Sequence, residues 1–218
     1  KALVKGEIPL HYRPVSVDIS LYPFSSWGCK VKDSVTLFYS GSFGKKDGVL
    51  NLISAFDLLA EMNPAIHLVL TGKAASQCLP PVMERIDKSP YKDRIEYKGF
   101  LDDKSYYSTL NAVDIPCMTR VDIPFAHAGF PFKLGEYLAS GKPVIASNVS
   151  DVESLLQDRC DVILVRPDNI SDIISAVEFI LAHPEKAVSI GENGRKTAKK
   201  NFDHKPQGIK LISFMEQV

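Results

Sequence analysis

The chain has 218 residues, 45% of them apolar and 24% charged, with 26 basic and 26 acidic residues in balance. That length carries one sizeable core and is short for two complete ones. Balanced charge supplies no global field toward nucleic acid or an anionic membrane, and no apolar run approaches the roughly 18 to 20 residues of a membrane span. The chain opens at Lys1 with neither a methionine nor a signal-peptide pattern, and reads as a fragment or a processed form. Cys29, Cys78, Cys117 and Cys160 are scattered with no CxxC pair, which suits reduced cytosolic thiols over a disulfide framework. His11, His67, His127, His183 and His204 are equally dispersed, so no zinc site or HExxH helix is written here.

Residues 1–34 are punctuated by Pro9, Pro14, Pro23 and Trp27-Gly28 and read as a linker or extended arm ahead of one domain over 35–218. Residues 35–40 form a β-rich run ended by Gly41. Val49, Leu52, Ile53, Phe56 and Leu59 then recur at helical spacing. A second strand is expected over 66–70, a helix over 81–88, and a third strand over 94–97. Asp103 is placed to cap a helix through Leu110. A fourth strand over 113–118 contains Pro116, which removes a ladder donor and predicts a bulge or the end of pairing. A helix holding Glu136 precedes a strand over 144–147, and a short helix over 151–157 precedes a strand over 161–165. Ser171 is expected to cap a helix faced by Ile173, Ile174, Val177, Ile180 and Leu181. Helical pieces over 184–200 and 206–217 finish the chain. Six short apolar strands separated by helices predict an α/β fold, a doubly wound parallel sheet with its ligand beyond the carboxyl ends of the strands.

Two segments carry chemistry. Gly41-Ser42-Phe43-Gly44-Lys45-Lys46-Asp47-Gly48 lacks the spacing of a P-loop, and no GxGxxG follows a strand. Its glycines still let backbone N–H groups approach an anion, with a helix start and Lys45 or Lys46 behind them. An ordinary solvated loop has the same composition. In the second segment Pro131 suits a first helical turn and Gly141 the residue past its end. Lys133 and Glu136, three apart, share a face while Leu134, Tyr137 and Leu138 turn to the core. A carboxylate accepts from two vicinal hydroxyls, as ribose presents them, and a lysine answers phosphate. The competing reading is a surface ion pair worth a few tenths of a kcal/mol.

Taken together, these segments give residues 35–218 a family resemblance. Tyr39-Ser40-Gly41 with Lys46-Asp47-Gly48-Val49, then Leu68 to Gly72, Ile95 to Leu101 and Ala112 to Ile115 follow one another in order. Ala128-Gly129-Phe130-Pro131 through Glu136 and Ala139 to Ile145 close the series. The series resembles the C-terminal, donor-binding half of the group 1 (family 4) glycosyltransferases, which have the two-domain GT-B fold with Rossmann-like halves. Val17-Asp18 to Tyr22-Pro23 resembles the family's interdomain stretch.

The resemblance implies transfer of a glycosyl group from a nucleoside-diphosphate sugar to an acceptor hydroxyl, with retained configuration and no metal or other cofactor. Glu136 matches the glutamate that binds the ribose, Lys46 the lysine on the diphosphate, and Lys133 a phosphate cation. These three are the expected catalytic residues. Gly41 and Ser42 match the first-strand loop, and Gly129, Phe130 and Pro131 a loop lying against phosphate and sugar. Phe100 and Leu101 match the segment that brackets the base. Two positions depart from the pattern: the family's first glutamate falls at Ala128, and an arginine after the first-strand glycine falls at Ser42. Arg120, Asp122 and His127 are polar candidates near Ala128. The acceptor would be held by an N-terminal domain absent from this chain, and the fragment alone would transfer little. A cytoplasmic enzyme, or one peripheral to the membrane through its missing half, would follow. A GT-B sugar-nucleotide epimerase and a non-catalytic Rossmann-like module are the alternatives.

Overall fold

A computed structural model describes residues 15–22 and 34–217. The expectations placed on Pro9, His11, Pro14, Pro23, Trp27, Gly28 and Cys29 lie outside them. Six strands form one parallel sheet: β1 (Val35–Ser40), β2 (Ile66–Thr71), β3 (Ile95–Tyr97), β4 (Ile115–Met118), β5 (Ile145–Ser147) and β6 (Ile163–Val165). Their order is β3-β2-β1-β4-β5-β6, the doubly wound arrangement expected from the alternation of strands and helices.

The pleat sorts alternate side chains to two cores. Val35, Leu37, Tyr39, Ile66, Leu68, Leu70, Ile115 and Ile145 face one side, while Phe38, Val69, Met118 and Ala146 face the other. Helix α1 (Val49–Met62) lays Leu52, Ile53, Phe56 and Leu59 on the first face, beside Ile173, Val177 and Ile180 of α6 (Ile170–Ala182). Leu52, Ile53 and Phe56 are fully buried, each worth about 1.5 to 3 kcal/mol over exposure. Helix α2 (Leu79–Asp87) joins this side through Val82 and Ile86. The second face is covered by α3 (Asp103–Ala112), through Tyr106 and Leu110, and by α4 (Phe132–Ala139), through Leu134, Tyr137 and Leu138. Beyond α5 (Val152–Leu155), α7 (Pro184–Asn201) spans both cores, with Ala187 and Ile190 in the first and Ala198 in the second. Helix α8 (His204–Glu216) ends the description.

Residues 15–22 lie against this second face. Val17, Ile19 and Tyr22 are buried there. The Val17 N–H donates to the Phe202 carbonyl at 2.8 Å, and the His204 N–H to that of Val17 at 3.0 Å.

Several boundaries differ from the expectations. Asp102, not Asp103, caps α3, its Oδ1 accepting from the Ser105 N–H at 2.7 Å. Asn169, not Ser171, caps α6 by accepting from the Asp172 N–H at 2.9 Å. In both, the short polar side chain reaches the amide three residues on, so the cap stands before the first helical turn rather than in it. Pro131 is likewise the N-cap of α4, with Phe132 the first helical residue, while Gly141 takes the left-handed φ of 78° past the end of the helix as expected. Helix α2 starts at Leu79, ahead of Pro81, because prolines fit a first turn whose N–H groups have no intrahelical partner. At Pro116 there is no interruption of β4. The ladder to β1 ends there, at Phe38↔Pro116, and the ladder to β5 begins at Cys117↔Ile145.

Candidate functional site

The order of strands reverses between β1 and β4, and a cleft of about 430 Å³ opens at their carboxyl ends. The loops after β1, β2, β3 and β4 line it, together with Tyr106 of α3 and the start of α4.

The loop after β1 is built around an inward-turned aromatic. Phe43 adopts a left-handed φ of 58° and is buried, its ring 5.3 Å from Tyr39 and 5.6 Å from Tyr97. A freely solvated loop would leave that side chain outside. Asp47 ties the turn: its Oδ2 accepts from the Ser42 hydroxyl at 2.7 Å and from the Gly44 N–H at 3.0 Å. Gly48 lies against Thr119, the residue after β4, where a Cβ would stand 1.8 Å from the Thr119 carbonyl oxygen. The Val121 N–H donates to the Lys46 carbonyl at 3.0 Å, and the Thr119 hydroxyl lies 3.4 Å from the carbonyls of Asp47 and Gly48. The Lys46 ammonium sits over the Phe125 ring, 4.8 Å from its centre. Next to this loop, Gly72 holds a φ of 138°, with room for no side chain against the Gly41 carbonyl.

On the other side the wall is made of side chains. Glu136 is 7% exposed. Its Oε2 accepts from the Tyr106 hydroxyl at 2.5 Å and from the Lys133 ammonium at 3.0 Å. Lys133 also lies 4.2 Å from the centre of the Tyr106 ring. Burial, reinforced by the neighbouring Tyr137 and by Glu136, holds the Tyr106 phenol well above its ordinary pKa, so it stays a donor. The pair is therefore no surface ion pair: the carboxylate is buried and doubly held through one oxygen. Behind it the Tyr137 hydroxyl accepts from the Ser40 N–H at 2.7 Å, fixing the end of β1 to α4.

Of the residues expected at a site, Gly41, Ser42, Lys46, Phe100, Leu101, Pro131, Lys133 and Glu136 all line this cleft. The Ser42 hydroxyl is occupied by Asp47, and Phe100 is 72% exposed at the rim. Gly129 and Phe130 are not among the lining residues. Gly129 accepts from Arg120 through its carbonyl, and Phe130 stacks 5.0 Å from Phe202. Asp122 and His127 pair with each other at 2.8 Å on the surface. Arg120 enters the cleft wall instead, half buried. Sequence reasoning passed over Tyr106. The available signal was a phenol four residues before Leu110 on the inner face of a helix, where a buried hydroxyl needs a partner.

Known families settle where this architecture belongs. The family model for group 1 glycosyl transferases matches residues 28–197. The chain belongs to that family. Among curated relatives, it is 23% identical over 209 residues to the MMP alpha-(1->4)-mannosyltransferase of Mycolicibacterium hassiacum, covering 95% of this chain and 48% of that one. It thus spans about half the length of the relative it matches. HepE of Anabaena, solved with UDP, superposes with a TM-score of 0.81 at 19% identity over 93% of this chain and 56% of that one. The C-terminal domain of the group 1 protein LpcC from Francisella tularensis is covered completely, with a TM-score of 0.72 at 19% identity over 87% of this chain. The fold is accordingly that of the C-terminal Rossmann-like half of a GT-B glycosyltransferase. No helix among the described residues is long and apolar enough to cross a membrane.

Proposed function

We propose that the cleft binds a nucleoside-diphosphate sugar and that this chain is the donor-binding half of a glycosyltransferase. The observation that carries the reading is the state of Glu136. Tyr106 and Lys133 both hold Oε2, which leaves Oε1 as the acceptor for a pentose diol. UDP in the related fold of HepE, and sugar transfer in the names of the curated relatives, support it.

In the reaction the bond between the anomeric carbon and the diphosphate oxygen breaks. The acceptor hydroxyl forms the new bond to that carbon and gives its proton to the departing diphosphate, with configuration retained, as the family resemblance implies. The cleft's part is to position the donor and to stabilise charge developing on the leaving diphosphate, through the loop N–H groups and the cations at 46 and 133. Residues 1–34 would lead to the other half, which holds the acceptor and which relatives of about twice this length leave room for. We place the reaction on the cytoplasmic side, where free thiols such as Cys160 stay reduced.

Thermal shift with UDP, GDP, ADP and CDP and their sugars tests the reading. A ligand at a hundred times its dissociation constant should stabilise the fold by about 2.7 kcal/mol. Glu136→Lys should abolish that shift while the chain still melts cooperatively. An unchanged shift in the variant would remove the pentose role, and turnover by residues 1–218 alone would remove the need for a second half.

A further inference from the structure

Among the described residues, four cations line the cleft and differ in what already holds them; Lys73, after β2, is exposed to solvent. Lys133 is paired to Glu136 and covers the Tyr106 ring, and Lys46 rests on the Phe125 ring. Arg120, two residues past the end of β4, is held otherwise. One nitrogen, Nη1, donates to the carbonyls of Ala126 at 3.0 Å and Gly129 at 3.3 Å. Among the described residues, no carboxylate lies within 4.0 Å of the guanidinium, and Nε and Nη2 have no hydrogen-bond partner. The group is half buried, and loss of water loosens its hold on the proton, with the more distant Asp47 and Tyr39 only partly offsetting this.

A guanidinium half withdrawn from water with no counter-anion nearby carries part of a desolvation cost that an anion would return. Anchoring one nitrogen on two carbonyls leaves the opposite edge of the fork for a second group. That edge matches two phosphate oxygens side by side, a geometry an ammonium cannot supply. The loop after β1 offers no equivalent, since Ser42 is uncharged and its hydroxyl is taken by Asp47. We infer that Arg120 receives the diphosphate of the donor, by a forked contact at the end of β4. Lys46 and Lys133, already engaged, add field rather than the principal contact. The inference rests on the nucleotide-sugar reading above and narrows it to a particular side chain. Because Nη1 also holds the carbonyls of residues 126 and 129, the same side chain fixes the loop that leads into α4.

Calorimetric titration of the wild-type chain, Arg120→Gln and Arg120→Lys tests it. Each is titrated with UDP, GDP, ADP and CDP, and with the nucleoside of the diphosphate that binds best. Arg120→Gln should weaken the diphosphate by about ten- to a hundredfold, as loss of a charged hydrogen bond does. The nucleoside, lacking phosphate, should change by less than about twofold, a few tenths of a kcal/mol. Arg120→Lys should fall between, restoring charge without the fork, and it carries the test if the glutamine variant does not fold. Rising salt should weaken the diphosphate less in Arg120→Gln than in the wild type. Equal losses for diphosphate and nucleoside, or no loss for either, would overturn the inference and leave Arg120 as a loop support. If no diphosphate binds the wild-type chain, the nucleotide reading itself falls, and this inference falls with it.

Discussion

The two walls of the cleft are made on different principles. The wall formed by the loops after β1 and β2 depends on close backbone approach: glycines at 48 and 72 bring main chain against main chain, with Phe43 and Asp47 packed behind to hold the turn. The wall formed by α3 and α4 is side chain: Tyr106 and Lys133 meet at one oxygen of Glu136. The backbone wall should therefore fail through the fold, and the side-chain wall through the ligand.

The largest effect should come from Gly72→Val. A Cβ there meets the Gly41 carbonyl oxygen at 1.9 Å, on a backbone that only glycine adopts easily. We expect a loss of roughly 3 kcal/mol or more in urea unfolding, with all binding lost alongside. A wild-type midpoint in that variant would break the contrast at once. Next comes Tyr137→Phe, which joins the two walls. It leaves the buried Ser40 N–H without its partner, and should cost about 1 to 3 kcal/mol of stability. Tyr106→Phe should do the opposite of Gly72→Val. Stability should move little, while affinity for a nucleoside diphosphate drops by about tenfold, because Glu136 is held by Lys133 alone. The 2′,3′-dideoxy form of the same nucleotide should bind wild type and variant alike. If that form is also weakened, Tyr106 acts on the fold rather than on the diol contact.

The smallest effect lies away from both walls and sets the background for the others. Burial holds the Asp161 carboxyl above its ordinary pKa, in spite of hydrogen bonds from the Gln157 N–H and the Thr197 hydroxyl. The folded state then binds the proton more tightly than the unfolded one. Its contribution is full below the unfolded value near 3.8 and is lost as pH rises through the raised folded value. Asp161→Asn should flatten that part of the stability curve in chemical denaturation. An unchanged slope would show that the desolvation is offset.

The same division explains how much could be read from the sequence. Alternating strands and helices, the i,i+3 spacing of Lys133 and Glu136, and Gly141 after the α4 helix are local patterns, and they are found in the structure. The partners of that local pattern are not local. Tyr106 lies 30 residues from Glu136, and Ser40 lies 97 from Tyr137. Only the path of the sheet brings them together, and no periodicity encodes it. Arg120 stands out in the sequence only as a polar candidate near Ala128 for a similar reason, since the carbonyls that hold it belong to the segment between β4 and α4. Caps were misplaced by one or two residues because two neighbouring polar side chains, as at Asp102 and Asp103, offer the same chemistry until the backbone chooses between them.

One feature of the backbone wall bears on the timing of ligand capture. The loops after β1 and β4 are clasped by the Val121–Lys46 hydrogen bond, by Thr119 and by the stacking of Lys46 on Phe125. Their ordering entropy was therefore spent when the chain folded, and an incoming ligand would find that rim already in shape. Stopped-flow association of residues 1–218 with a nucleoside diphosphate should then show one phase whose rate climbs linearly with ligand concentration.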